Sequence, residues 1–588
     1  MSARVNGASV YVHSTFQPAV EAARWAREPL ERAWDFAVVY GMGLGYHLDV
    51  LLEQRPQCRL VVVEPRADVL FAAMALKDQR RLLSHPYLEL YSGGDPAVVA
   101  SKLFSAHLKG LLDEAPFFVW PAATRYAPEY WRAFQSRLTD LFRATRSDMA
   151  TRRTFQLQWV NNFLKNLHHA VNDPGISSLR DRLAGRPAIV VAAGPSLEQN
   201  IHLLREAKDR AVVIAAGSAI NPLLKNRIEP DLLVSFDPSE ANYQHFENLR
   251  TSWLPLVYVP TIFPRIIEEY PGPRFTAAMD TFPFITWFFN ELGEEKGLLA
   301  SGPSVANVSW YLANELGLNP IILVGQDLAF TRGKTHAAGA AHARTVDVES
   351  EEARGRLLLT EGVDGTPVPT TTPMYAMKVW FEQRLMKAPK DRMTIDATEG
   401  GAKIEGTAIM TLEEALAKYC QDEFTPYETI MSVHRAEAER LAGQSAQERV
   451  RHVLGELRED LFLVVRVATD ALQNARQLLR ESQTKRLNEQ RLKEAATRLG
   501  RHAKGLTTIA AYKVFIEPVN LHILRAIGLL LRRRLEKETD LYGKGTEVAR
   551  LYSTLFSSSR DMARHIVRLL KEQGIDSSGV SGQSSDRG

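Results

Sequence analysis

Ala188-Ile189-Val190-Val191-Ala192-Ala193-Gly194-Pro195-Ser196-Leu197 is an apolar run that ends in a small-residue turn and opens a helix. A turn of this kind sits at the carboxyl end of a strand, where backbone N–H groups and the positive end of the helix dipole favour a phosphate. Gly194 would let the main chain come close to such a ligand. A plain strand-to-helix turn is spelled the same way, because Gly-Pro-Ser also starts helices.

Further apolar runs follow at Ala211 to Ala215, Asp231 to Ser235, Leu256 to Val259 and Ile321 to Val324, alternating with helical stretches. That alternation predicts a parallel α/β sheet joined by right-handed crossovers. Their ends switch from apolar to small or acidic residues: Ala216-Gly217-Ser218, Ser235-Phe236-Asp237-Pro238 and Gly325-Gln326-Asp327. In open α/β sheets that edge is where ligands bind. Ser301-Gly302-Pro303-Ser304, followed by Asn307, opens another helix and offers hydroxyls and first-turn N–H groups to an anionic substrate.

Upstream, Phe36 to Tyr40, the turn Gly41-Met42-Gly43-Leu44-Gly45-Tyr46-His47, a helix to about Gln54 and Arg59 to Glu64 read as one βαβ unit. Gly41, Gly43 and Gly45 would admit a ligand to the backbone, and Glu64 stands where such folds often hold a ribose hydroxyl. Methyltransferases that use S-adenosylmethionine look like this, and so does a Rossmann-like scaffold that binds nothing.

Thr151 to Asn172 reads as a helix that Asp173-Pro174-Gly175 breaks. After about Thr411 prolines become scarce, and apolar positions recur every three to four residues, as at Val450, Val453, Leu454, Leu457 and Leu461. Each helix there would bury one stripe, giving a bundle able to dock a helical partner or a second copy of the chain. Arg532-Arg533-Arg534 is either a solvated helix face or a patch for an anionic partner. The expected domains are 1–150, Rossmann-like; 151–420, a central α/β domain; and 421–575, helical. A disordered tail over 576–588 follows, rich in Ser and Gly.

The 588 residues are 45% hydrophobic and 24% charged, as in folded water-soluble chains. With 72 basic and 69 acidic residues the net charge of +3 gives no nucleic-acid footprint. Cys58 and Cys420 form no CxxC pair, which argues against a disulfide framework or a cysteine zinc site. Asp231 and Asp237 do not define a metal site by themselves, and no HExxH motif accompanies them. The first residues lack a signal-peptide pattern, and no apolar run reaches the roughly 20 residues that span a bilayer. The expectation is a cytoplasmic protein with no membrane span.

Taken together, Gly194-Pro195-Ser196-Leu197, Pro230-Asp231 with Asp237-Pro238, Ser301-Gly302, Gly325 with Asp327, and Glu399-Gly400-Gly401-Ala402 with Gly406 resemble the central domain of the motility accessory factor (Maf) family. His13-Ser14, Pro18, Glu21-Ala22 and the Gly41 to His47 turn resemble its N-terminal region, so the likeness covers about Val12 to Gly406. The central core is also similar to bacterial sialyltransferases and to the archaeal 6-hydroxymethylpterin pyrophosphokinase. The fold class implied is α/β: a Rossmann-like N-terminal domain, a central sialyltransferase-like domain with a parallel sheet, and a C-terminal all-helical domain.

The Maf resemblance implies a flagellin O-glycosyltransferase with no tightly bound cofactor. Its donor would be a CMP-activated nonulosonic acid, of the pseudaminic or legionaminic type, and its acceptor a Ser or Thr of flagellin. In the sialyltransferase comparison Gly194 to Ser196 lie against the donor phosphate, Ser301 and Gly302 near the cytidine or sugar, and Asp327 follows the later strand. Leu197, Gly217, Ser218, Asp237, Ser304, Asn307 and Gly325 complete the expected binding set. The transfer needs a base for the acceptor hydroxyl, and histidine titrates near neutrality. His336, in Thr331-Arg332-Gly333-Lys334-Thr335-His336, is the candidate, with Lys334 or Arg332 as anion contacts and His342 as the rival base. The alternatives are an ATP- and Mg²⁺-dependent pterin pyrophosphokinase, a methyltransferase working at Gly41 to Glu64, and a flagellin-binding assembly factor without catalysis.

Overall fold

The computed structural model describes residues 1–572 and 574, apart from 6, 33, 35, 109–115, 342, 354–356, 390, 444–445, 519, 521–522, 525–526 and 528–540. His342, Arg532 to Arg534 and the 576–588 tail lie outside the described residues. The chain forms two compact units, one of Met1–Thr154, Ala471–Arg501 and Val519–Phe556, the other of Phe155–Asp470, His502–Pro518 and Ser557–Gly588.

The first unit holds a parallel sheet of β1 (Phe36–Tyr40), β2 (Arg59–Glu64), β3 (Leu88–Ser92) and β4 (Phe117–Val119), in the order β3-β2-β1-β4. The expected βαβ unit is β1, the helix Tyr46–Gln54 and β2. Val38, Val39, Val61 and Val62 are fully buried, so both faces of the sheet are covered, as parallel sheets require.

The second unit is built on eight parallel strands: β5 (Ala188–Val191), β6 (Val212–Ala216), β7 (Leu232–Ser235), β8 (Leu256–Tyr258), β9 (Arg274–Thr276), β10 (Ile321–Val324), β11 (Thr394–Asp396) and β12 (Ala408–Ile409). Their order is β9-β8-β7-β6-β5-β10-β11-β12. The five expected runs are β5 to β8 and β10. The remaining three strands are only two or three residues long and carry Arg274, Thr394 or Ala408 where an apolar run would have marked them.

The helix expected at 151–172 is the end of a longer one, Pro128–Asn172. After Thr411 the chain is helical, and Ala446–Gln483 is its longest described helix. That helix buries Val453, Leu454, Leu457, Leu461 and Val464, with Val450 half-buried, which is the expected stripe. Helices of this region contribute to both units. Among the described residues no helix is long and apolar enough to cross a membrane.

Asp231 precedes β7 and Asp237 follows it, so these carboxylates stand at opposite ends of one strand and do not meet. Burial pushes the Asp231 carboxyl up to about 7, aided by the charge of Asp209 and opposed by the Val213 N–H that it accepts at 2.8 Å. The folded protein therefore holds this proton where the unfolded chain has released it, and stability falls as pH rises from about 4 to about 7. An Asp231→Asn variant, which keeps the acceptor and removes the charge, is expected to melt a few degrees above the wild type at pH 8. At pH 4 that advantage should vanish. Thermal melting at both pH values checks this, and equal differences at both would refute it.

Candidate active site

Strands β5 to β9 run outward in one direction, while β10 pairs with the other side of β5. The sheet thus reverses its strand order between β5 and β10, and the crevice beyond their carboxyl ends is the place where such sheets take ligands. Gly194-Pro195-Ser196 leaves β5 there and Gly325-Gln326-Asp327 leaves β10.

The two turns grip each other. The Asp327 carboxylate accepts the Ser196 amide at 3.2 Å and the Ser196 hydroxyl at 2.7 Å, and Gly194 donates to the Gly325 carbonyl at 2.8 Å. Burial raises the Asp327 carboxyl above its ordinary range, against the bonds from Ser196 that favour its charge. A Cβ on Gly194 would stand 2.0 Å from Asp327 Oδ2, and one on Gly325, at φ +67, would stand 2.3 Å from the Ala192 carbonyl.

This corrects the expectation of a turn with open N–H groups. The Ser196 amide is taken by the protein's own carboxylate, and Leu197 donates back to Gly194 at 3.1 Å. The following helix is a single turn, Leu197–Asn200, continued as a 3₁₀ segment, so its dipole is small. Glycine at 194 serves a close approach of protein to protein.

A longer helix reaches the same edge. Val305–Glu315 packs Ala306 against Ala192 and Ala216, at the ends of β5 and β6. Ser304 caps it by accepting the Asn307 amide at 3.2 Å, and the Asn307 side chain holds the Met377 carbonyl, so both residues serve the helix itself. Ser301 donates its amide to Asp280 and accepts the Trp380 indole N–H at its carbonyl. A Cβ on Gly302 would press on Asn307 at 2.8 Å. The amides of Val305 and Ala306, which the helix cannot pair internally, are the donors left at this end. Gly217 and Ser218 turn at the end of β6, and Asp237 is exposed beyond β7 with one carboxylate oxygen on the Ser239 amide.

His336 is brought to this edge by its backbone. The next residue, Ala337, donates to the Ala193 carbonyl at 2.8 Å, one residue before Gly194. His336 itself is half-buried. Lys334, expected as an anion contact, instead pairs with Glu198 at 2.8 Å, so its charge is already answered. Sequence reasoning missed Glu198, which carries no local signal because it lies 136 residues from Lys334.

At the amino-terminal turn, Gly41, Gly43 and Gly45 all take positive φ. The turn is filled by its own protein, which corrects the expected ribose contact. Glu64 is fully buried and accepts the Met42 amide at 2.9 Å, the Gly43 amide at 3.1 Å and the Tyr126 hydroxyl. Burial raises its carboxyl to about 7 against those bonds. A Cβ on Gly43 would meet His13 at 2.8 Å, and one on Gly41 would meet Ala123 at 2.5 Å. His47 stacks on Trp120 at 4.2 Å and donates to the Gly41 carbonyl.

Residues 2–118 match the glycosyltransferase Maf N-terminal domain, and residues 161–333 match the domain called 6-hydroxymethylpterin diphosphokinase MptE-like. The fold is that of a solved Maf glycosyltransferase from Magnetospirillum magneticum AMB-1, with a TM-score of 0.51 at 17% identity over 98% of this chain and 90% of that one. By its domains and its fold the chain is Maf-like. Two further relatives share parts of it. An uncharacterized protein of Treponema pallidum is 25% identical over 33% of this chain and 66% of its own length. The 6-hydroxymethyl-7,8-dihydropterin pyrophosphokinase of Methanocaldococcus jannaschii is 32% identical over 13% of this chain and 31% of its own. The chain thus spans a third to two thirds of these curated relatives. In this Maf-like chain the MptE-like match contains Gly194 to Ser196 and Asp327 but stops before Lys334 and His336.

Proposed function

We propose that the chain is a glycosyltransferase that moves a nonulosonic acid from a CMP-activated donor onto a Ser or Thr hydroxyl of flagellin, working in the cytoplasm. The observation that carries this reading is that two elements each reach the carboxyl end of β5, beside the strand-order reversal: the amino-terminal end of Val305–Glu315, positive by its dipole, through Ala306 on Ala192, and the segment bearing His336, through Ala337 on the Ala193 carbonyl. The helix end suits the donor phosphate. His336 would take the acceptor proton as the hydroxyl oxygen bonds to the anomeric carbon. The bond from that carbon to the phosphate oxygen breaks, and CMP departs with the electron pair.

The purified chain, given CMP-activated pseudaminic or legionaminic acid and unmodified flagellin, is expected to release CMP and to keep doing so in EDTA. The MptE-like match supports a second reading, pyrophosphoryl transfer from ATP to a pterin. That reaction depends on Mg²⁺ bridging the ATP phosphates. AMP formation from ATP and hydroxymethylpterin, abolished by EDTA, together with no CMP release, would select it. Flagellin binding with neither reaction would select an assembly factor without catalysis.

A further inference from the structure

We infer that Glu198 is a positioning residue for this transfer, strapping the segment that carries His336 onto the end of β5. The inference rests on the glycosyltransferase reading above. Glu198 stands two residues beyond Ser196, and its carboxylate makes a paired set of contacts. Oε1 accepts the Ala338 amide at 2.8 Å and Lys334 Nζ at 3.1 Å, while Oε2 accepts Lys334 Nζ at 2.8 Å. Lys334 and Ala338 flank His336 by two residues on either side. One carboxylate therefore fixes both ends of a five-residue piece whose middle is the candidate base.

Three backbone bonds act on the same loop. Ala337 donates to the Ala193 carbonyl, and Thr335 and Val346 close the loop on itself through Arg344 at 3.0 Å and Gly333 at 2.7 Å. The internal bonds shape the loop, whereas Ala193 and Glu198 locate it against the sheet. Lys334 and Arg332 supply the positive charge around the carboxylate, and its ordinary protonation range is lowered first by Lys334. The pair is partly exposed, with 29% of the Glu198 side chain and 41% of the Lys334 side chain open to solvent. Exposed ion pairs add little to global stability. Misplacing a base by an ångström, by contrast, can cost about a hundredfold in rate.

The test uses the full chain with CMP-activated nonulosonic acid and flagellin, reading CMP release, melting temperature and amide exchange across 334–338. Glu198→Ala is expected to lower kcat by roughly 10- to 100-fold, leave the donor KM within a few-fold, preserve the melting temperature and speed exchange in that segment. Glu198→Gln keeps an acceptor for Ala338 and should fall between. Because Glu198→Gln and Lys334→Met remove one shared contact, the double variant should be no slower than the worse single one. A donor KM that rises in Lys334→Met with kcat unchanged would assign Lys334 to the donor phosphate and overturn the strap. So would wild-type kcat and exchange in Glu198→Ala. Failure of the underlying reading looks different: the wild type releases no CMP, or His336→Gln matches it, and the inference falls with it.

Discussion

A Gly401→Ala substitution is expected to cost the second unit about 4 kcal/mol and to abolish whatever its crevice does. Gly401 sits at φ +79, where a Cβ would lie 2.1 Å from the Asp327 carbonyl oxygen and 2.5 Å from its Cα. Both obstacles are backbone, so no flexible side chain can swing clear. The left-handed conformation alone costs an alanine roughly 1–2 kcal/mol, and overpacking adds about 1–3 more. The methyl also pushes on the strand end that Ala402 holds by its amide at 2.7 Å to the same carbonyl. Asp327 cannot move without releasing the Ser196 amide and hydroxyl, so the turn after β5 should loosen with it. Urea unfolding measured against the wild type checks the magnitude. A loss below about 1 kcal/mol, with near-ultraviolet dichroism unchanged, would mean that the backbone packing at Asp327 is not as tight as described.

His336→Gln carries the second large effect. Glutamine keeps a polar side chain on a half-buried position but cannot accept and hold the acceptor proton. General-base contributions are typically 10²- to 10⁴-fold, so kcat should fall by about a thousandfold with the donor KM little changed. The melting temperature should stay near that of the wild type, because Lys334, Ala337 and Ala338 anchor the segment on both sides of residue 336 and glutamine remains polar there. The contrast with Gly401→Ala is the useful part: one variant should lose rate and keep its fold, the other should lose both. A His336→Gln enzyme with near-normal kcat would remove this histidine from the reaction.

The parts of the fold that could be read in advance were those with a local cause. Val190 and Val191, or Leu323 and Val324, are apolar because parallel strands are buried on both faces, and the polar residues after them mark where each strand leaves the core. The strands β9, β11 and β12 are too short to make such a run. At the candidate site, small and acidic residues mark the carboxyl edge of the sheet. What they do there depends on partners far along the chain. Ser196 and Asp327 are 131 residues apart, and their bond turns an apparently open phosphate turn into an internally satisfied one. Glu64 followed the same pattern: it stands at the predicted end of β2, yet Tyr126 and the amides of Met42 and Gly43 occupy it. Lys334 is likewise paired with Glu198, a partner far from it in the sequence. Residue type and strand position located these groups, while tertiary contact decided what each one binds.

The central claim is tested most directly by co-expressing the chain with flagellin and the enzymes that make the CMP-activated sugar, then measuring the intact mass of flagellin. With the wild-type chain, flagellin should gain whole multiples of one nonulosonic acid residue, and with His336→Gln it should keep its unmodified mass. Flagellin that stays unmodified beside a folded wild-type chain and a supplied donor would contradict the account.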